Sequence, residues 1–136
     1  MSLPILREDA LSSLGDGFSL RICLPWIRSL PVWSLTAIEL HIDDEPVDVT
    51  AVMIGDRRVA PSVLAFERGW WFLQDRLRLE GRRVLAPGGH EVDLAFGLYV
   101  PYLEAGGDGP LSLPFRAHRT LTLDAPVTRT VARDVA

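Results

Sequence analysis

The chain contains no lysine, and all fourteen of its basic residues are arginine. This is read as the codon bias of a GC-rich genome and carries no functional weight. Eighteen carboxylates stand against the arginines, giving a net charge of −4 with the signs mixed along the chain. Proteins that grip phosphates show a basic face. None is visible in the order of residues, so nucleic acid is not an expected partner. Cysteine is nearly absent too. Cys23 stands alone, which excludes an internal disulfide and fits a reducing, cytoplasmic setting. No uncharged apolar run approaches the roughly 18 to 20 residues that cross a bilayer, so no membrane span is expected. The opening "MSLPILREDALSS" lacks a basic segment followed by an apolar one and is not read as a signal peptide.

What the chain does have is period-two alternation. Phe18, Leu20, Ile22 and Leu24 alternate with Ser19, Arg21 and Cys23. Ile38, Leu40 and Ile42 alternate with Glu39 and His41, and after "DDEP" the pattern resumes at Val47 and Val49. Trp71, Leu73, Leu77 and Leu79 share one parity of "WWFLQDRLRLE", and Val92 to Val100 form the clearest strand. Short alternating runs separated by turn residues predict antiparallel sheets with one face buried. Parallel sheets would show continuous apolar runs with helices between them. The expected fold is therefore an all-β, two-sheet sandwich of about seven or eight strands, with a closed or partly open barrel as the alternative. Only "APSVLAFERG" carries the makings of a helical turn. At 136 residues, the length prior gives a single domain spanning 1–136, with 1–14 and 125–136 expected to be peripheral or frayed.

Motifs for chemistry are scarce. His41, His90 and His118 are far apart, and neither H-x-x-x-H nor C-x-x-C occurs, so no metal site is expected. No G-x-S-x-G occurs, and Cys23 lies mid-strand among apolar neighbours as a structural thiol would. "EAGGDGPL" lacks the Lys and Ser/Thr of a phosphate loop. The acidic run Asp43-Asp44-Glu45 lies where a hairpin turn is expected, and Asp suits turns. No catalytic residue is assigned to this chain.

The aromatics are the exception. Trp26 and Trp33 flank Arg28 in a connection held by Pro25 and Pro31, which stiffen it and lower the cost of presenting it. Trp70 and Trp71 are adjacent, so in a strand one points in and the other out. Tyr102 ends a strand. Tryptophan, tyrosine and arginine are the residue types enriched at binding hot spots, and they also stack on sugar rings. Two readings of this set stay open. Either the tryptophans plug the end of the sandwich, or Trp26, Arg28, Trp33, Trp70, Trp71 and Tyr102 form a surface for a partner or substrate.

The order of these pieces resembles the small β subunit of bacterial C-glycoside deglycosidases. The likeness rests on Gly17, Phe18, Leu24, Pro25, Trp26, Arg28, Leu30 and Pro31 in "GFSLRICLPWIRSLP". It continues through Ile38, Glu39, Asp43, Glu45 and Val47, with Asp44 where the family has a hairpin glycine. "WWFLQDRLRLEG" and "LAPGGHEVDLAFGLYVPYL" extend it over roughly residues 15 to 104. Residues 58–69 depart from the family pattern, which leaves their role open. The resemblance implies an accessory subunit of a carbon–carbon lyase of carbohydrate metabolism. Its TIM-barrel α partner, of the sugar isomerase/epimerase type, would hold a divalent metal and the acid/base groups, and this chain would hold no cofactor. The substrate implied is a 3-oxo C-glycoside. A ketone at C3 acidifies the proton at C2, and the enolate, stabilised by a metal-polarised oxygen, can expel the group at C1. The alternatives are a free-standing carbohydrate- or aromatic-binding module and a homo-oligomeric structural sandwich.

Overall fold

A computed structural model describes residues 5–104 and 110–126, with the side chains of 101–104, 110 and 111 left out. Its strands are β1 (Leu11–Leu14), β2 (Gly17–Cys23), β3 (Leu30–Pro31), β4 (Leu35–Ile42), β5 (Glu45–Pro46) and β6 (Ala51–Ile54). They continue as β7 (Arg57–Val59), β8 (Trp70–Trp71), β9 (Arg76–Gly81), β10 (Gly89–Glu104) and β11 (Pro110–Thr122). They form one sheet ordered β1-β2-β9-β6-β7, a second ordered β11-β10-β4-β5, and a two-stranded ribbon β3-β8. Among the described residues every pairing is antiparallel and no sheet closes into a barrel, so the fold is an all-β sandwich. The strand number exceeds the expectation because two-residue pairings such as β3-β8 carry no periodicity that a sequence could display.

The alternation does what it predicts in the long strands. Phe18, Leu20 and Ile22 of β2 and Leu77 and Leu79 of β9 face Leu40 and Ile42 of β4 and the even residues Val92–Val100 of β10. Each such side chain contributes about 1.5–3 kcal/mol when fully buried. β4 departs from strict period two. Its pairing with β10 shifts between Ala95 and Gly97, and Ala37 takes a positive φ of 51° there. One extra residue in β4 is a bulge, and it lets Leu35 and Leu40 both reach the core although five positions apart.

The turns follow their chemistry. Asp43 and Asp44 both have positive φ, 54° and 64°, as the β4–β5 hairpin requires. "APSVLAFERG" supplies a 3-10 helix at Pro61–Phe66. The run "WWFLQDRLRLE" is broken by a turn in which Asp75 N–H donates to the Phe72 carbonyl. Leu73 is consequently 46% exposed instead of sharing the fate of Trp71.

The segment before Gly17 is not peripheral where it is described. Ile5, Leu6, Ala10 and Leu11 are buried, and Asp9, with its side chain wholly enclosed, forms a two-pronged ion pair with Arg76 at 2.7 and 3.1 Å. Backbone bonds from Cys23 to Ile5 and from Arg21 to Ala10 pin this arm along β2. Burial pushes the Asp9 carboxyl up, but the hydrogen bond and charge of Arg76 outweigh it and hold the group below its ordinary value.

Candidate functional site

The β3-β8 ribbon pairs Leu30 with Trp71 and Pro31 with Trp70, so the two tryptophans point to opposite sides. Trp71 is 1% exposed; its indole N–H donates to the Asp75 carbonyl at 3.0 Å, and its ring lies tilted against Phe96 at 6.5 Å. Its inclusion among surface residues is thereby corrected: Trp71 plugs the core, because period two assigns it the inward side. Trp70 is 53% exposed. Just after it the chain exposes Phe72 and Leu73; Phe66 is 82% exposed, and the exposed Ile27 lines the cleft of Trp26.

Two contacts make this end a unit. Leu73 N–H donates to the Ser29 hydroxyl at 2.8 Å, and Val32 N–H donates to the Gly69 carbonyl at 2.9 Å. The 25–35 connection is further set by a 3-10 turn at Val32–Ser34, whose Ser34 hydroxyl donates to the Pro31 carbonyl at 2.6 Å. Pro31 itself sits at φ −61°, the value its ring dictates. The rim is thus held rigidly in place by backbone and short side chains.

The other expected residues fall elsewhere. Trp26 is half-buried and lines a cleft of about 680 Å³ together with Ile5, Leu6, Phe115, Ala117 and Arg119. Trp70 lines a different cleft, so the structure divides the expected aromatic set into two places. Arg28 is exposed and Trp33 is half-buried. The side chain of Tyr102 lies outside the described residues.

The histidines, distant in sequence, are not distant in space. His41 and His118 both pair with Asp93 in register, one from each neighbouring strand, on the outward face of β10. Asp93 is held below its ordinary value by the Arg116 guanidinium, with His118 and His41 adding to it. Among the described residues no group of three His, Cys, Asp or Glu side chains has the geometry to hold a metal ion. His90 is buried and contacts Asp43 Oδ2 and the Ala86 carbonyl, both at 2.7 Å.

The sequence reading missed the outward face of β2 and β9. The cleft beside Trp70, about 550 Å³, is lined by Arg21, Arg76, Arg78, Met53 and the acidic residues Asp56 and Asp75. Arginines alternating in "LRIC" and "RLRL" were the available signal. The register that places them side by side was not readable, because nothing local states that β2 and β9, some fifty residues apart, are neighbours.

No family model matches the sequence. The chain is 32% identical over 114 residues to the 3'-dehydrocarminate deglycosidase beta subunit of a Microbacterium species, a match that covers 80% of this chain and 85% of the relative. It is 28% identical over 103 residues to the C-glycoside deglycosidase beta subunit of Microbacterium trichothecenolyticum, covering 73% and 79% respectively. With an all-β sandwich beneath that likeness and the "LPWIRSLP" connection packed against its second tryptophan pair, the chain belongs to the C-glycoside deglycosidase β-subunit family.

Proposed function

We propose that this chain is the small subunit of a two-component lyase that cleaves the carbon–carbon bond of 3-oxo C-glycosides. In this reading it docks on a TIM-barrel α subunit of the sugar isomerase/epimerase type. The α subunit supplies the divalent metal and the acid/base groups, and the complex works in the cytoplasm. The observation that carries the docking role is the rim of exposed Trp70, Phe72 and Leu73, tied to the 25–35 connection by the Ser29–Leu73 and Val32–Gly69 hydrogen bonds. Large apolar side chains gathered at one end and held in place have the composition of an interface centre, in which tryptophan is over-represented. Arg28 and Trp26 belong to the same connection, with Trp26 in a cleft of its own.

The reaction balances without an added oxidant once the 3-oxo sugar is supplied. A base removes the proton at C2, the enolate forms towards the C3 oxygen, and the C1–aglycone bond breaks with its electron pair leaving on the aglycone carbon, which is then protonated. The sugar product carries a C1=C2 double bond conjugated with the C3 ketone. What the small subunit adds is closure of the partner's substrate face by a surface already in its binding shape.

The test is turnover of a 3-oxo C-glucoside by the cognate α subunit with and without this chain. Turnover only with both is the expected outcome; full activity of the α subunit alone would overturn the proposal. Replacing Trp26 and Arg28 by alanine and following co-elution addresses the assignment of those two side chains.

A further inference from the structure

The outward face of the β1-containing sheet carries a pairing that costs the isolated chain energy. Arg21 of β2 lies directly opposite Arg78 of β9, and Met53 of β6 lies opposite Arg78 on its other side. Like charges at opposed positions of an antiparallel pair repel. The nearby carboxylates do not neutralise both. Asp9 gives both oxygens to Arg76, at 2.7 and 3.1 Å, although it also feels the charge of Arg21. Glu80, 4% exposed, gives Oε1 to Arg58 at 2.8 Å. Its Oε2 stands 3.4 Å from Arg78 Nε without a hydrogen bond, and both atoms are buried without a partner. Among the described residues the Arg21 side chain has no hydrogen bond or ion pair, and the Arg78 side chain has that one long ion pair alone. Asp56 and Asp75 line the same cleft, Asp75 next to Arg76 and Asp56 in the β6–β7 turn.

We propose that Arg21 and Arg78 form a carboxylate-binding pair, and that its ligand is an aspartate or glutamate side chain on the surface of the α subunit. This rests on the two-subunit reading above. Guanidinium groups present rigid forks of donors that match a carboxylate with two parallel hydrogen bonds. A carboxylate set between them satisfies unused donors and turns the repulsion of Arg21 and Arg78 into attraction for a shared anion. The occupant is a protein side chain and not a free anion because the pair is continuous with the rim. Trp70, exposed, lines the same cleft as both arginines and stands beside Phe72 and Leu73. Arginine and tryptophan side by side next to an apolar patch are the residues on which binding energy concentrates in protein interfaces.

The experiment uses the full chain and its cognate α subunit, with Arg21→Ala, Arg78→Ala and the double variant. Affinity is measured against sodium chloride concentration, and activity is measured on a 3-oxo C-glucoside. The expected result has two parts. The free Arg21→Ala chain melts close to wild type, because the lost repulsion from Arg78 offsets the lost attraction to Asp9 and no side-chain bond is broken. In the complex, each variant binds at least ~10-fold more weakly, with a flatter salt dependence. Wild-type affinity and salt slope in the double variant overturn the inference while leaving the two-subunit reading intact. Unchanged affinity with a raised KM also overturns it, by assigning the pair to a small anionic ligand. Failure of the wild-type chain to bind the α subunit is read from wild type alone and removes both.

Discussion

Two adjacent tryptophans in one strand have opposite fates, and the difference can be measured. Trp71 is enclosed, bonded through its indole nitrogen and packed on Phe96, which in turn stacks with Phe115 at 5.9 Å. Trp71→Ala is expected to cost about 3–5 kcal/mol, because it opens a cavity at the join between the ribbon and the second sheet. Trp70→Ala removes an exposed ring and is expected to change the stability of the free chain by no more than about 0.5 kcal/mol. Urea unfolding of the two variants gives both numbers, and equal losses would contradict the assignment of inside and outside. Gly17 shows the same economy of space. A methyl group there would overlap the Gly81 carbonyl oxygen, so the close approach of β2 and β9 admits glycine alone.

Among elements, the β4–β5 hairpin is tied down by a titrating clasp. Asp43, at the first turn position, meets the buried His90 ring at the start of β10, and His90 reaches back to the Ala86 carbonyl. Asp43 also accepts the Glu91 N–H at 3.0 Å. Both ring nitrogens face acceptors, so the imidazolium, with two N–H donors, is the form that fits. The Ala86 carbonyl, and after it Asp43, hold His90 above its usual 6.5. A raised folded pKa means stability that is fully present below the unfolded value and lost as pH rises through the folded one. Asp43 is held below its usual 3.8, first by His90, so its share is present above that value and lost as pH falls. The clasp is therefore complete between the two ranges. Melting temperature is expected to fall from pH 6 to pH 8.5 in wild type and to lose that pH-dependent step in His90→Gln. A wild-type melting curve that is flat across this range would refute the clasp.

At the scale of the whole molecule, the long strands were legible and the joints between them were not. Alternation in β2, β9 and β10 identifies the buried face without help, since one residue of slip would turn every apolar side chain to water. The arm before Gly17 was invisible because its hold on the sheet comes from Asp9, an acidic residue that reads as surface. Its partner Arg76 lies 67 positions away. For the candidate site, the order of tryptophans, prolines and arginines in 25–33 singled out the connection that pairs with the β8 tryptophans. It could not separate Trp26 from Trp70, because each faces a cleft completed by strands distant in sequence. Asp9→Ala tests the arm: leaving Arg76 without its enclosed partner is expected to cost about 3–5 kcal/mol, read by chemical denaturation. A loss under 1 kcal/mol would mean that the arm is held by its backbone bonds and apolar residues alone.

The arm and the last strand also meet. Asp124 N–H donates to the Leu11 carbonyl, its carboxylate takes the Ser13 N–H and hydroxyl, and Arg119 donates to the Leu6 carbonyl at 2.7 Å. These bonds span 111 and 113 positions. A ribosome releases β1 long before β11, so the edge where the two come together stays unsealed until Asp124 has emerged. Contacts of such long range close slowly. The sandwich thus reaches its finished outline only once β11 has been made, and a partner that reads that outline meets it sealed or not at all.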